Sequence, residues 1–408
     1  MVLIAPPQSY RITPYLNAIR QMGASALLVS SGKYSLVSEL AQGIHVDFAD
    51  ALVVDTIIHH LADTPPQAVL GTDEISVEIA AKVAAAFGLA YNNPRGTLLA
   101  RRKDLARLCL KDAGLPVPDF FVGDLTALLS SCPCPVAFPL VVKPLALSGS
   151  RGVIRANNLD ELHHALLRID AILRQEYPQD AFERQQVLLE AFIPGPEVAV
   201  EALLNRGKLQ ILAVFDKPDP LNGPYFEETY YVAPSRLSAV LLERVETRLT
   251  ECCVAYGLSE GPVHAEFRLH DQDAWLLELA ARTIGGECAR LVELYTGSSL
   301  ETLVVQNALG MRMEANRSAH SVGVLMIPIP QAGLLRRVEG VLEASQILYI
   351  EHLEISIHAG YELVPLPEGN SYLGFIFARA PSPELTEQAL RHAHGCLTIV
   401  TTPLLAVG

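Results

Sequence analysis

Residues 263–286 read VHAEFRLHDQDAWLLELAARTIGG. Two apolar runs, each interrupted by a glutamate, flank the polar turn His270-Asp271-Gln272-Asp273. The pattern predicts an antiparallel hairpin with Glu266 and Glu278, twelve residues apart, side by side on one face. Two like charges on a largely apolar sheet are costly unless a cation neutralises them. Mg²⁺ shared with nucleotide phosphates is the natural candidate, because it binds through one or two carboxylates plus phosphate oxygens. Arg282, four residues beyond Glu278, would then steady a transferring phosphoryl group or a developing oxyanion. A solvated edge hairpin is the bland alternative, but LLELAAR is too apolar to suit one.

Three further patterns lie upstream. Val141-Val142-Lys143-Pro144 ends an apolar strand in a lysine, and the small-residue loop Leu147-Ser148-Gly149-Ser150-Arg151-Gly152 follows. Such a lysine can meet the inner phosphates of a nucleotide while loop N–H groups wrap the outer ones. A surface hairpin with a chance lysine is the competing reading. Next comes Leu188-Leu189-Glu190-Ala191-Phe192-Ile193-Pro194-Gly195-Pro196-Glu197, a strand that exits into an extended segment. Its backbone could bond an adenine edge while Phe192 and Ile193 cover the ring, and Glu197 suits ribose hydroxyls as an acceptor. Taken alone, Gly-Pro-Glu is also an ordinary turn. The third pattern, Arg101-Arg102-Lys103-Asp104, is by itself a solvated helix start.

Composition narrows the class. The chain has 408 residues, half of them apolar and 19% charged, as expected of a well-buried globular enzyme with several compact units. A net charge of −14 argues against a nucleic-acid partner. No apolar run of about 18 residues suggests a membrane span. The start, MVLIAPPQSYR, reads as a strand and a turn rather than a secretion signal, so the expected location is cytoplasmic. Seven cysteines without a CxxC pair, including Cys132-Pro133-Cys134 and Cys252-Cys253, read as reduced structural thiols. The run His392-Ala393-His394-Gly395-Cys396 sits where a helix enters a strand, which disfavours a metal site there.

Along the chain, VLIAP, ALLVS, ALVVD and AVLGTDE read as strands, with helices over 14–22 and 74–88. That alternation predicts a parallel, doubly wound sheet. No GxGxxG follows the first strand, which disfavours a nicotinamide oxidoreductase. A basic helix is expected over 101–114, with further helices over 159–175, 235–256, 286–309 and 383–394. The tail adds the strands VGVLMIPIP, YLGFIFARA and LTIVTT.

Taken in order, these residues resemble an ATP-grasp enzyme along nearly the whole chain. Lys103 matches the family's first nucleotide-binding lysine, in K-D-x-x-R before Gly114-Leu115-Pro116-Val117-Pro118, and Lys143 the second. Ser148, Gly149, Ser150 and Gly152 match the mobile phosphate loop, whose N–H groups assist catalysis. Glu190, Ala191, Phe192 and Ile193 match the adenine hinge, and Glu197 the ribose carboxylate. Glu266 and Glu278 match the metal pair, and Arg282 the catalytic arginine. Glu278-Leu-Ala-Ala-Arg282 is similar to the E-x-A-A-R of L-amino-acid (dipeptide) ligases, with Ala280 where many relatives place a metal-binding Asn. Gly223–Tyr231 resembles the substrate loop, with Glu228 rather than Glu227 matching the carboxylate for an α-ammonium group. Tyr231, Gly285 and Gly286 complete the implied substrate residues. Gly340, Gly360 and Leu373-Gly374 resemble the closing domain.

The resemblance implies an α/β architecture: an N-terminal doubly wound domain (1–93), an ATP-grasp core (94–315) with a lid at about 120–195, and an α+β closing domain (316–408). It implies a carboxylate–amine ligase that uses ATP with Mg²⁺ or Mn²⁺ and makes an amide through an acyl-phosphate. The partners would be an amino acid or other small carboxylate and an amine or amino-acid acceptor, and a homodimer is compatible with it. An ATP-grasp carboxylase or purine-type synthetase, and a nucleotide-binding scaffold without turnover, are the rival readings.

Overall fold

The structure is a computed structural model, which describes residues 1–31, 43–131, 134–311 and 318–404. Cys132 and the 315/316 boundary expected above lie outside the described residues.

The N-terminal sheet is parallel, with strands in the order Gly43–His45, Leu27–Ser30, Val2–Ile4, Val69–Gly71. Alternate residues of the first strand face opposite layers. Val2 and Ile4 pack with the helices Val53–Leu61 and Glu74–Ala86, whereas Leu3 packs with helix Ile12–Gln21 and with core residues from 284 onward. Helices therefore cover both faces, as a doubly wound sheet requires.

ALVVD, expected as a strand, instead opens the helix Val53–Leu61. The buried residues Val53, Ile57 and Leu61 recur every four positions. A short apolar run leaves this choice open, and the period over the next turn settles it. Two expected long helices also change. Arg102 adopts extended backbone (φ −94°, ψ 99°), so the helix expected over 101–114 starts later, as Lys103–Asp112, and Arg101 instead closes a separate helix, Pro94–Arg101. Gly297, in the left-handed region at φ 75°, divides 286–309 into Cys288–Thr296 and Leu300–Ala308. The other predicted helices appear as Leu159–Glu176, Ala239–Tyr256 and Pro383–Gly395.

The centre is an eight-stranded antiparallel sheet. Its order is Asp273–Ala280, Gly261–His270, Glu197–Asn205, Lys208–Lys217, Tyr230–Ala233, Ser321–Ile327, Gly374–Ala380, Ile350–Ile355. Beside it stands a four-stranded antiparallel lid sheet, ordered Phe120–Asp124, Gln186–Ala191, Leu140–Pro144, Ile154–Ala156, with helix Leu159–Glu176 packed on it. A small sheet joins Glu362–Leu363, Gly333–Glu339 and Thr398–Thr402. Among the described residues no helix is long and apolar enough to cross a membrane.

Gly340 ties the small sheet to the last helix. It holds φ 80°, and a Cβ there would lie 1.9 Å from the Cys396 carbonyl oxygen. Gly340→Ala should therefore cost roughly 2–4 kcal/mol, the sum of left-handed strain and overpacking. A chemical denaturation midpoint indistinguishable from wild type would refute this.

Candidate active site

The predicted hairpin forms in the expected register. Glu266 pairs directly with Glu278 across Gly261–His270 and Asp273–Ala280. Its turn holds Asp271 and Gln272 at φ 52° and 61°, the double left-handed geometry that matches the right-handed twist of paired strands. A bulge after Glu266 leaves Leu277 outside the ladder, and its carbonyl accepts from Arg107 at 2.9 Å. Ala265, Phe267, Leu276 and Leu279 bury one face in the core, while both glutamates face two adjoining cavities.

Both cavities combine apolar wall with a few convergent polar groups, the make-up of small-molecule sites. The first is walled by Lys103, Lys143, Glu190, Phe192, Ile193 and Glu197, among others. The second is walled by Gly149, Tyr231, Arg282, Gly285, Gly286 and Tyr372, among others. Ser150, Glu228, Glu266 and Glu278 belong to both, so the two cavities meet there. Most residues singled out in the sequence thus converge on one place. Ser148 and Gly152 line neither cavity; the Gly152 N–H instead donates to the Pro367 carbonyl at 2.9 Å.

Nearly every charged group here has a counter-charge. Lys143 donates to Glu190 at 2.8 Å, and Arg107 grips the same carboxylate at 2.8 and 3.2 Å. Burial works against ionised Glu190, but Arg107 and then Lys143 outweigh it and hold its pKa down to about 2. Lys103 bridges the loop 147–152 to the hairpin, donating to the Leu147 carbonyl at 2.7 Å and lying 3.6 Å from Glu278. Arg282 donates to Glu74 of the N-terminal domain at 2.7 Å and to the Thr283 carbonyl at 2.8 Å. Burial opposes the charged state of Glu74 too, and Arg282 holds its pKa at about 2.

Sequence reasoning missed Lys217, the most connected of these groups. It ends strand Lys208–Lys217, is buried, and donates to Glu197 (2.7 Å), Glu228 (2.7 Å) and Glu266 (2.9 Å). An ammonium has three donors, and here each finds a carboxylate. Burial opposes its charge, yet Glu197, Glu228 and Glu266 hold the ammonium well above its usual pKa. A signal existed: LAVFDKP repeats the apolar-strand-then-Lys-Pro pattern of LVVKP. Oxygens of Glu197, Glu228 and Glu266 lie within 4.8 Å of one another, as metal ligands would, but the Lys217 ammonium occupies their centre. Glu278, expected from sequence to share a cation with Glu266, is not one of this cluster; it lines the same two cavities, with Lys103 3.6 Å away.

His264, Glu201 and Arg268 were missed as well. His264 lies between Glu201 (3.2 Å) and Glu266 (3.6 Å); burial opposes protonation, but these two carboxylates raise its pKa to about 9. Arg268 donates to Glu197 and to the Ile193 carbonyl, both at 3.2 Å, with its guanidinium 4.9 Å from the Phe192 ring. At the end of strand Gln186–Ala191, in the segment expected to be the hinge, the Ala191 and Phe192 amides donate to the Asp119 and Pro139 carbonyls. Among the described residues the Ile193 amide has no such partner, although Ile193 is buried on the wall of the first cavity. Glu228 is held by Lys217 through one oxygen and by the Tyr231 hydroxyl, 2.8 Å away, through the other.

Comparison with known proteins agrees with this geometry. Residues 136–290 match the ATP-grasp domain, and residues 325–402 match the L-amino acid ligase C-terminal domain 2. The chain is an ATP-grasp ligase. An L-amino acid ligase from Bacillus licheniformis superposes with a TM-score of 0.83 at 25% identity, covering 98% of each chain. A Sinorhizobium fredii protein of uncharacterized role is 22% identical over 384 residues, 93% of this chain and 78% of its own. Dapdiamide A synthase from Enterobacter agglomerans is 24% identical over 262 residues, and the match spans only 60% of that protein. The ligase thus belongs among ADP-forming enzymes that make C–N bonds, as the resemblance implied.

The Glu190 cluster yields a pH prediction. Its folded-state pKa lies below the ordinary 4.5, so the fold favours the ionised form. That stabilisation is complete above pH 4.5 and disappears as pH falls through about 2. Glu190→Gln strands two buried cations and should cost about 3–5 kcal/mol at pH 7. Denaturation midpoints should show the gap between wild type and variant closing toward pH 2; a constant gap would contradict the assignment.

Proposed function

We propose that the ligase activates the carboxylate of one amino acid as an acyl-phosphate and transfers the acyl group to the amino group of a second, releasing ADP and phosphate. The observation that carries this is the shared wall: the first cavity opens into the second at Ser150, Glu228, Glu266 and Glu278. A nucleotide in the first would point its terminal phosphate at whatever fills the second.

The chain's own groups divide the work. The buried Ile193 amide would meet an adenine ring acceptor, with Phe192 against the ring face. Glu197 keeps spare lone pairs toward the cleft for ribose hydroxyls despite its bonds to Lys217 and Arg268. Lys103 and Lys143 offset phosphate charge. Glu266 and Glu278 would hold Mg²⁺ or Mn²⁺, whose positive charge, when bound, offsets that of the outer phosphates. Glu228, pre-oriented by Lys217 and Tyr231, receives the α-ammonium group of the donor amino acid. A carboxylate oxygen of the donor amino acid attacks the γ-phosphorus, the bond from that phosphorus to the bridging oxygen breaks and ADP departs. The acceptor amine then attacks the acyl carbon, phosphate leaves and the ammonium loses a proton. Arg282 and the N–H groups around Gly149 stabilise the oxyanion of that step.

Incubation with ATP and pairs of amino acids should give ADP, phosphate and a condensed product detectable by mass. AMP as the main nucleotide product, or ADP release that depends on bicarbonate or formate instead, would overturn the proposal. Arg282→Ala should slow turnover by about 10²–10³ while changing nucleotide affinity little, because its contact strengthens as charge develops. An effect confined to ATP affinity would make Arg282 a binding group only. Glu278→Gln should abolish metal-dependent turnover in a folded protein; near-normal activity at ordinary Mg²⁺ would remove Glu278 from the metal site.

A further inference from the structure

The phosphate loop is fastened from outside by residues that line neither cavity. Its last residue, Gly152, donates its N–H to the Pro367 carbonyl, and the Arg151 guanidinium donates to the Glu368 carbonyl, both at 2.9 Å. Sixteen residues further on, Arg168 of lid helix Leu159–Glu176 grips the Glu368 carboxylate with two parallel bonds of 2.8 and 2.7 Å. The same guanidinium also bonds the Tyr225 hydroxyl of the substrate loop. Next to it, Arg155 of the lid donates through its backbone N–H to the Pro224 carbonyl and through its side chain to Asn222, both at 2.8 Å. The lid is thus pinned to two separate segments, 222–225 and 367–368.

Both segments continue into the second cavity. The first leads within three residues to Glu228, and the second to Asn370 and Tyr372, all of which line it. Resting on the reading above, we propose that Arg168 and Glu368 are positioning residues that hold the phosphate loop shut while the acyl-phosphate waits for the amine. Water entering at that stage attacks the acyl carbon, the carbon–oxygen bond to phosphate breaks, and the amino acid and phosphate are released. ATP is then consumed without an amide bond forming. A two-point Arg–carboxylate pair fixes orientation as well as distance, which a single ammonium contact does not. Contact between its two ends also requires the closing domain and the lid to have met, so the pair exists only in the closed enzyme.

The test compares ADP formed per amide formed, with both amino acids saturating, in wild type, Arg168→Gln and Glu368→Gln. Each variant should raise that ratio about fivefold, the scale expected of a partly exposed pair of good geometry, while amide kcat changes less. Reversing the pair, with Arg168→Glu and Glu368→Arg together, should bring the ratio back toward wild type. An unchanged ratio in both single variants would sink the latch while leaving the ligase reading intact. Hydrogen exchange over residues 147–153, with Mg²⁺ and a non-hydrolysable ATP analogue, reads the latch independently of turnover. Faster exchange in both variants supports it even if the wild type makes no amide, and unchanged exchange overturns it.

Discussion

One buried ammonium stands where three segments of the chain need it. Lys217 lies between carboxylates from Glu197–Asn205, Gly261–His270 and the loop before Tyr230–Ala233, and each of those carboxylates would be prohibitively costly there alone. Because its charge is shared among Glu197, Glu228 and Glu266, the ammonium sets the spacing of groups proposed for ribose, amino acid and metal. The middle of the eight-stranded sheet is ordered around this contact as much as around its apolar core. A lysine suits the task because its three donors can diverge from one point.

The same economy recurs around the rim. Lys143 shares Glu190 with Arg107, Arg282 shares its charge with Glu74, and Lys103 reaches Glu278 and the loop carbonyl together. The charged groups around the two cavities are therefore held in place by counter-charges and carbonyls, which is the preorganisation that the proposed chemistry needs. The Glu74 contact has a particular meaning. It comes from the first residue of a helix in the N-terminal domain, so that domain fixes the orientation of an arginine in the core.

The hairpin carrying Glu266 and Glu278, and the apolar strand that ends at Lys143-Pro144, were legible in the sequence because each is local. Glu266 and Glu278 lie on one hairpin, and a turn of four polar residues announces it. The misreadings arose where local signals were ambiguous. ALVVD is apolar enough for either a strand or a helix start, and the breaks at Arg102 and Gly297 depend on tertiary contacts or on a single backbone angle. Lys217, His264, Glu201 and Arg268 escaped notice for another reason. Apart from Glu266, two residues from His264, their partners are 11 to 83 residues away, and only the strand order brings them together. Tyr231, expected among the substrate residues, lines the second cavity and donates its hydroxyl to Glu228.

The central sheet does not stop at Tyr230–Ala233. Tyr230–Ala233 pairs on one side with Lys208–Lys217 and on the other with Ser321–Ile327. The closing domain is consequently bonded, strand to strand, to the segment that carries Glu228. A protein cut before residue 321 would bare the backbone of Tyr230–Ala233 as an open edge, a template for pairing with another chain. For anyone dissecting this enzyme into modules, the last ninety residues or so are a structural continuation of the catalytic sheet, and exchange of parts among ligases of this build would have to carry both halves together.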